Sequence, residues 1–128
     1  MRFPMPNHPC DFEIPDDWLK EAGMNGFTPV FRTYHSTAEV VPVRLVEIEP
    51  PYRVPACVKD SRGFDRERLV FVLQGIAIGT QIPPVSLQEL PLAEFPCFRP
   101  YRYRVCDGFH RFYASIAAGF ECLPGIVS

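Results

Sequence analysis

Fifteen of the 128 residues are proline, against an ordinary usage of about 5%, and this constrains the fold before any other feature does. Proline fixes φ and donates no backbone hydrogen bond, so these residues belong in turns and at strand edges. A chain punctuated this often is either disordered or built from short elements. A hydrophobic content of 47% decides for a folded chain. The length fits one core, and two domains of half the size would each be starved of buried surface.

The segments between the prolines carry the periodicity. "IPDDWLKEAG" reads as a short helix with Asp16 as N-cap and Gly23 as stop, and "FTPVFRTYHS" alternates as a strand does. "VVPVRLVEIEPP", Val40 to Pro51, is β-branched and ends at a Pro-Pro break, so it reads as a strand running into a loop that carries Tyr52 and Arg53. From Phe64 to Gly79 the pattern is helical, with Asp65 as cap, Leu69, Val72, Leu73 and Ile76 on one face, and Gly79 as terminator. "IPPVSLQEL" and "YRYRVC" read as strands, the latter with Arg102, Arg104 and Cys106 on its wetter face. After Asp107 and Gly108, the spacing of Phe109, Phe112, Ile116 and Phe120 predicts a helix ending near Gly119, and "CLPGIV" predicts a closing strand. The order strand, helix, strand, strand, helix, strand implies an α+β domain, a small mixed sheet with helices packed on it.

Charge and cysteine content exclude several classes. Thirteen basic against fifteen acidic residues give a net charge of −2, far from the basic field that general nucleic-acid binding requires. No apolar run approaches the roughly 20 residues of a membrane span, and "MRFPMPNHPC" has no apolar signal core. The expectation is a soluble, cytoplasmic protein. Cys10, Cys57, Cys97, Cys106 and Cys122 form an odd set without a C-x-x-C pair, which argues for reduced thiols. His8, Cys10 and His35 have no paired ligand spacing, so no metal site is assigned. Trp18 and the phenylalanines read as core, with an aromatic platform for a nucleobase as the alternative use.

One string runs against helix electrostatics. In "CDGFHRFYASIAAGF", Cys106 to Phe120, the basic His110 and Arg111 fall in the first helical turn, where the dipole disfavours positive charge by about 0.3–1 kcal/mol each. An anion bound there accounts for them: Gly108 admits a close backbone approach, the first-turn N–H groups point outward, and the two side chains add donors. In the alternative account Asp107 caps the helix, and His110 and Arg111 are solvated or paired with acids.

The stretch from Val40 to Val127, about two thirds of the chain, resembles the ParB/sulfiredoxin superfamily, which includes the ParB-like nuclease domain. "VPVRLVEIEPPYR" is similar to its opening strand and loop, Phe64 to Gly79 to its first helix, "IPPVSL" to its P-P-I/V strand, and "DGFHRFYASIAAGFECLPGIV" to its signature turn, helix and closing strand. Relatives carry G-x-R-R, G-C-H-R or D-G-H-H-R in the signature and bind nucleotide phosphates there. The resemblance implies one domain, 1–128, with residues 1–39 as an N-terminal extension and 40–127 as the ParB/sulfiredoxin-like core. It implies a nucleoside di- or triphosphate (ATP, ADP or CTP), with Mg²⁺ accompanying it, as the small-molecule partner. The phosphates would lie on Asp107, Gly108, Phe109, His110 and Arg111, with Asp107 as turn-former or outer partner of the metal and Arg53 approaching from the facing loop.

The departures bear on chemistry. Sulfiredoxins place a reactive cysteine directly before the His-Arg pair, where this chain has Phe109, so Cys106 reads as a small strand residue and not as a reductase thiol. The nucleotide-dependent serine kinases of the D-G-H-H-R branch carry a glutamate after the first strand, where this chain has Tyr52 and Arg53, with Glu47 and Glu49 slightly upstream. No catalytic residue is therefore assigned. ParB proteins continue into a helix-turn-helix part, and the sequence shows no such element, so sequence-specific DNA binding is not expected. The leading expectation is a nucleotide-binding domain that transfers or hydrolyses phosphate. The alternative is a non-catalytic ligand or protein-interaction module with a vestigial anion site, and a nuclease ranks third for want of an acid cluster with two-metal spacing.

Overall fold

The computed structural model describes residues 1–7, 10–51, 64–91 and 101–128. Near the N-terminus β1 (Arg2–Pro4) pairs antiparallel with β2 (Asp11–Glu13), Phe3 opposite Phe12. Helix α1 (Asp16–Glu21) follows. Its N-cap is Pro15 and not Asp16, and no side chain bonds its first N–H groups. Pro15 is extended and marks the boundary, which leaves Asp16 in the first turn, where its carboxylate meets the N-terminal ammonium at 2.8 Å.

Residues 27–36 do not form the expected strand. Ser36 makes an isolated bridge with Ile82, the Ile82 N–H donating to the His35 carbonyl at 2.8 Å and the Thr37 N–H to the Ile82 carbonyl at 3.1 Å. Pro29 has no N–H to offer a ladder, and the apparent alternation does not sort the side chains by burial: Val30 and Phe31 are both exposed and Tyr34 is buried.

The segment Val40–Pro51 is likewise not one strand. It divides into β3 (Val41–Arg44), a 3₁₀ turn at Leu45–Glu47 and β4 (Ile48–Glu49). The remaining elements lie close to where the sequence puts them: α2 (Arg66–Ile78), β5 (Val85–Glu89), β6 (Tyr103–Asp107), α3 (Phe109–Ala118) and β7 (Cys122–Val127). Asp65 caps α2 by accepting from the Arg68 N–H at 3.2 Å, and Gly79 closes it in the left-handed region.

The reason for the split is topological. The five-stranded sheet has the order β3-β7-β5-β6-β4, so β3 and β4 occupy its two opposite edges. The β3–β7 and β5–β6 pairs are antiparallel, and β7–β5 and β6–β4 are parallel. Four flat strand spacings would separate the edges by about 19 Å. A single 3₁₀ turn, rising about 2 Å per residue, cannot span that distance, so the sheet curls until its edges approach. The result is the α+β fold that the element order implies, with a second, two-stranded sheet beside it.

The helices pack α1 on α2 and α2 on α3, and α3 contacts β7. Phe12, Phe64, Phe112 and Tyr113 are fully or almost fully buried, and the Tyr113 ring meets Phe12 edge-on at 4.9 Å and Phe64 at 5.1 Å. Each such burial stabilises the fold by about 1.5–3 kcal/mol. The β1–β2 pair therefore contributes to the same core as α2 and α3. Trp18 is buried too, with the Arg66 guanidinium 5.9 Å from its ring. On α2 the buried face consists of Leu69, Val70, Leu73 and Ile76, with Val72 half-buried. No helix among the described residues is long and apolar enough to cross a membrane.

Candidate functional site

Strand β6 ends at Asp107 and α3 begins at Phe109, so the whole reversal falls on Gly108, at φ 119° and ψ 33°. L-residues rarely adopt that conformation. A Cβ added there would also lie 3.0 Å from both Val85 Cγ atoms. Glycine is required at this turn for strain and for space, with or without a ligand.

Gly108, the N-cap of α3, brings no side chain to cap it, and the first turn contains no acid. Asp107 does not cap it. Its carboxylate instead accepts from Arg111 Nη2 at 3.2 Å, one turn along. The first N–H drawn into the helix ladder is that of Phe112, donating to the Gly108 carbonyl at 2.9 Å. The start of α3 thus presents the partial positive charge of a helix N-terminus with no acid in its own first turn.

The two basic residues of this turn are engaged with the protein. His110 Nε2 accepts from the Asp65 N–H at 3.1 Å, so the imidazole braces the N-cap of α2. Arg111 is only 17% exposed; its Nη1 donates to the Pro84 carbonyl at 2.7 Å and to the Pro83 carbonyl at 3.2 Å. The Pro83 carbonyl also accepts from Tyr34 Oη at 2.6 Å. Arg111 therefore ties the Pro-Pro entry of β5 to α3, and its charge is shared among three acceptors. Phe109 packs its ring at 5.9 Å from Phe64 and 5.2 Å from Tyr113.

Asp107, Gly108, Phe109, His110 and Arg111 nevertheless line one cleft of about 330 Å³, whose other wall is Arg68, Phe71 and Val72 of α2. Arg53 and Tyr52 lie outside the described residues. Arg68 and Phe71 are members of this cleft that the sequence motif does not include. The signal was present in the α2 periodicity: Phe71 falls opposite the Leu69, Leu73 and Ile76 face, and an aromatic residue there is unexplained by core packing. No ion pair or side-chain hydrogen bond is made by the Arg68 guanidinium among the described residues.

The other candidate groups lie elsewhere. Glu47 and Glu49 pair with Arg102 at 3.9 Å and Arg104 at 3.8 Å along the β4–β6 edge and do not line the cleft. Cys106 and Cys122 are free thiols. Cys106 is exposed on β6 outside the cleft lining, whereas burial pushes the Cys122 thiol up from its ordinary range, opposed by Arg32, whose Nη2 lies 3.3 Å from the sulfur. A second hollow of about 210 Å³ lies between residues 27–35 and the end of α2, with Phe27, Phe31, Tyr34, Ile76 and Phe120 in its walls.

No protein-family model matches the chain, and no curated protein is significantly similar to it.

Proposed function

We propose that the cleft between α2 and the start of α3 binds the phosphates of a nucleoside di- or triphosphate (ATP, ADP or CTP), with Mg²⁺ as its cation, on a ParB/sulfiredoxin-like domain working in the cytoplasm. The observation that carries this reading is the acid-free α3 N-terminus behind a left-handed glycine, facing across a cleft Arg68, whose guanidinium makes no ion pair among the described residues. Helix-start N–H groups and a guanidinium are what a phosphate group takes. In this arrangement the first-turn N–H groups and Arg68 hold the phosphates, while His110 and Arg111 hold the two walls in place. Asp107, whose side chain is 80% exposed, is the carboxylate available to the cation's hydration shell.

A second reading has an observation of its own. Because His110 and Arg111 are satisfied within the protein, the same turn is also consistent with a non-catalytic module that keeps the fold and a vestigial anion site. Thermal melts separate the two. ATP, ADP and CTP with Mg²⁺ are expected to raise the melting temperature, by mass action equivalent to about 2.7 kcal/mol at a hundredfold excess over Kd. Arg68→Ala is expected to weaken that shift at unchanged ligand-free stability. No shift at millimolar nucleotide favours the interaction module.

A further inference from the structure

Phe71 is 75% exposed in the middle of a helix whose other large apolar side chains are mostly turned inward. It is the most exposed aromatic side chain among the described residues, ahead of Phe31 at 63%. Its surroundings are not those of a general apolar patch. Arg68 lies one turn before it and Gln74 one turn after it, positions that share a helix face. Phe71 borders the cleft shared with Gly108 and Arg111 on one side, and on the other a hollow of about 410 Å³ lined by Glu21, Arg66, Glu67, Val70 and Gln74. The cleft alone, at about 330 Å³, is larger than a lone phosphate needs and falls at the low end of small-molecule sites, about 300–1,000 Å³.

We infer that Phe71 is the stacking platform for the base of the bound nucleotide, so that the site selects nucleotides over free polyphosphate. The inference rests on the reading of the cleft as a phosphate site. With phosphates at the α3 start and on Arg68, the rest of the ligand extends along the α2 surface over the Phe71 ring. A π-face accepts any base, so the platform confers affinity for nucleotides as a class. Gln74, with both a donor and an acceptor on its amide, stands where a base edge would pass and supplies what choice there is among bases. Arg68 lies at the phosphate end, where the Asp107 carboxylate is paired with Arg111, and the Gln74 amide lies at the base end, where Glu21 is paired with Arg66 at 2.6 Å.

The experiment titrates the intact chain with Mg-ATP, Mg-CTP and inorganic tripolyphosphate by calorimetry, using wild type, Phe71→Ala, Phe71→Trp and Arg68→Ala. Stacking is sequence-tolerant and its loss is expected to weaken both nucleotides roughly 5- to 150-fold in Phe71→Ala, with tripolyphosphate unchanged. Phe71→Trp is expected to restore nucleotide binding, and Arg68→Ala to weaken all three ligands. If Phe71→Ala leaves nucleotide affinity intact, or lowers tripolyphosphate as much as nucleotide, the platform is wrong and the phosphate site stands. If the wild-type chain binds none of the three, the phosphate site itself is wrong and the platform with it.

Discussion

The backbone N–H of Asp65 donates to His110 Nε2 across 3.1 Å, so the residue that caps α2 is itself held by a side chain from the first turn of α3. This changes the electrostatic problem posed by a basic residue at a helix start. An imidazolium has two N–H donors and no acceptor, so the ring that receives this bond presents a lone pair at Nε2. His110 is used here as an acceptor, and the dipole of α3 does not oppose it as it would a cation.

His110→Ala is therefore expected to destabilise the ligand-free protein by about 1–3 kcal/mol, because it leaves a partly buried N–H without its partner. His110→Gln, whose amide oxygen reaches the place of Nε2, is expected to recover most of that loss. Urea denaturation of the three proteins decides it. Equal stability of the alanine variant and the wild type would mean that the bond has no structural weight.

Arg111 yields a parallel expectation with a different partner set. Its guanidinium serves the Pro83 and Pro84 carbonyls and Asp107 at once, a fork that lysine cannot reproduce. Arg111→Ala and Arg111→Lys are both expected to cost stability, the alanine change by about 1.5–3 kcal/mol. Asp107→Asn is expected to cost less than about 1 kcal/mol, since that carboxylate is largely exposed and screened. A lysine variant as stable as wild type would show that charge alone, and not the fork, holds the two prolines.

The sequence made the two long helices and the last strand-turn-helix-strand unit legible because each is specified locally: Asp65 caps, Gly79 and Gly119 stop, and apolar spacing sets the buried face. What it did not disclose depends on partners distant in the chain. Nothing local in Val40–Pro51 says that its two halves bond to opposite edges of a sheet. That follows from β7 and β6 claiming different ends of the segment. The same applies to the candidate site. The D-G-x-H-R string located the turn, and the cleft does gather Asp107 to Arg111. The duties of His110 and Arg111 come instead from Asp65, Pro83 and Pro84, between 27 and 45 residues away. Phe71 and Arg68 entered through the cleft lining and not through the motif.

Alkaline pH is expected to weaken the fold through tyrosines. Burial pushes the Tyr34 phenol well above its ordinary range, with Arg111 opposing, and burial followed by Glu49 pushes Tyr101 up as well. Both donate to backbone carbonyls, Tyr34 to Pro83 and Tyr101 to Pro6 and Asn7. In the unfolded chain these phenols lose their protons near pH 10, while in the folded chain they keep them to higher pH. Stability from this source is fully present below about pH 10 and falls as pH rises through the window between the unfolded and folded values. Melts of wild type, Tyr34→Phe and Tyr101→Phe from pH 8 to 11 are expected to show a shallower alkaline decline in each variant. An unchanged slope in Tyr34→Phe would count against the assignment.

Gly108 carries two separable constraints, and a double-mutant cycle can apportion them. At φ 119° an added side chain strains the backbone whatever the space around it, a cost of about 1–3 kcal/mol. The added Cβ would also press on two methyl carbons of Val85 at 3.0 Å, and Val85 is fully buried in β5. Gly108→Ala alone is expected to cost about 2–4 kcal/mol, the sum of the two. Val85→Ala alone opens a small cavity and destabilises in its own right. In the Val85→Ala background both Cγ contacts are gone and only the Val85 Cβ, 3.2 Å away, still presses on the added methyl, so Gly108→Ala is expected to cost mainly the strain, and the two changes are expected to be less than additive by about 1 kcal/mol. Strict additivity would mean that Val85 yields without cost and that backbone conformation alone demands the glycine. A cost below about 0.5 kcal/mol for Gly108→Ala in both backgrounds would mean that the turn relaxes out of the left-handed region, and that the geometry from which the phosphate site is argued is not the one the protein requires.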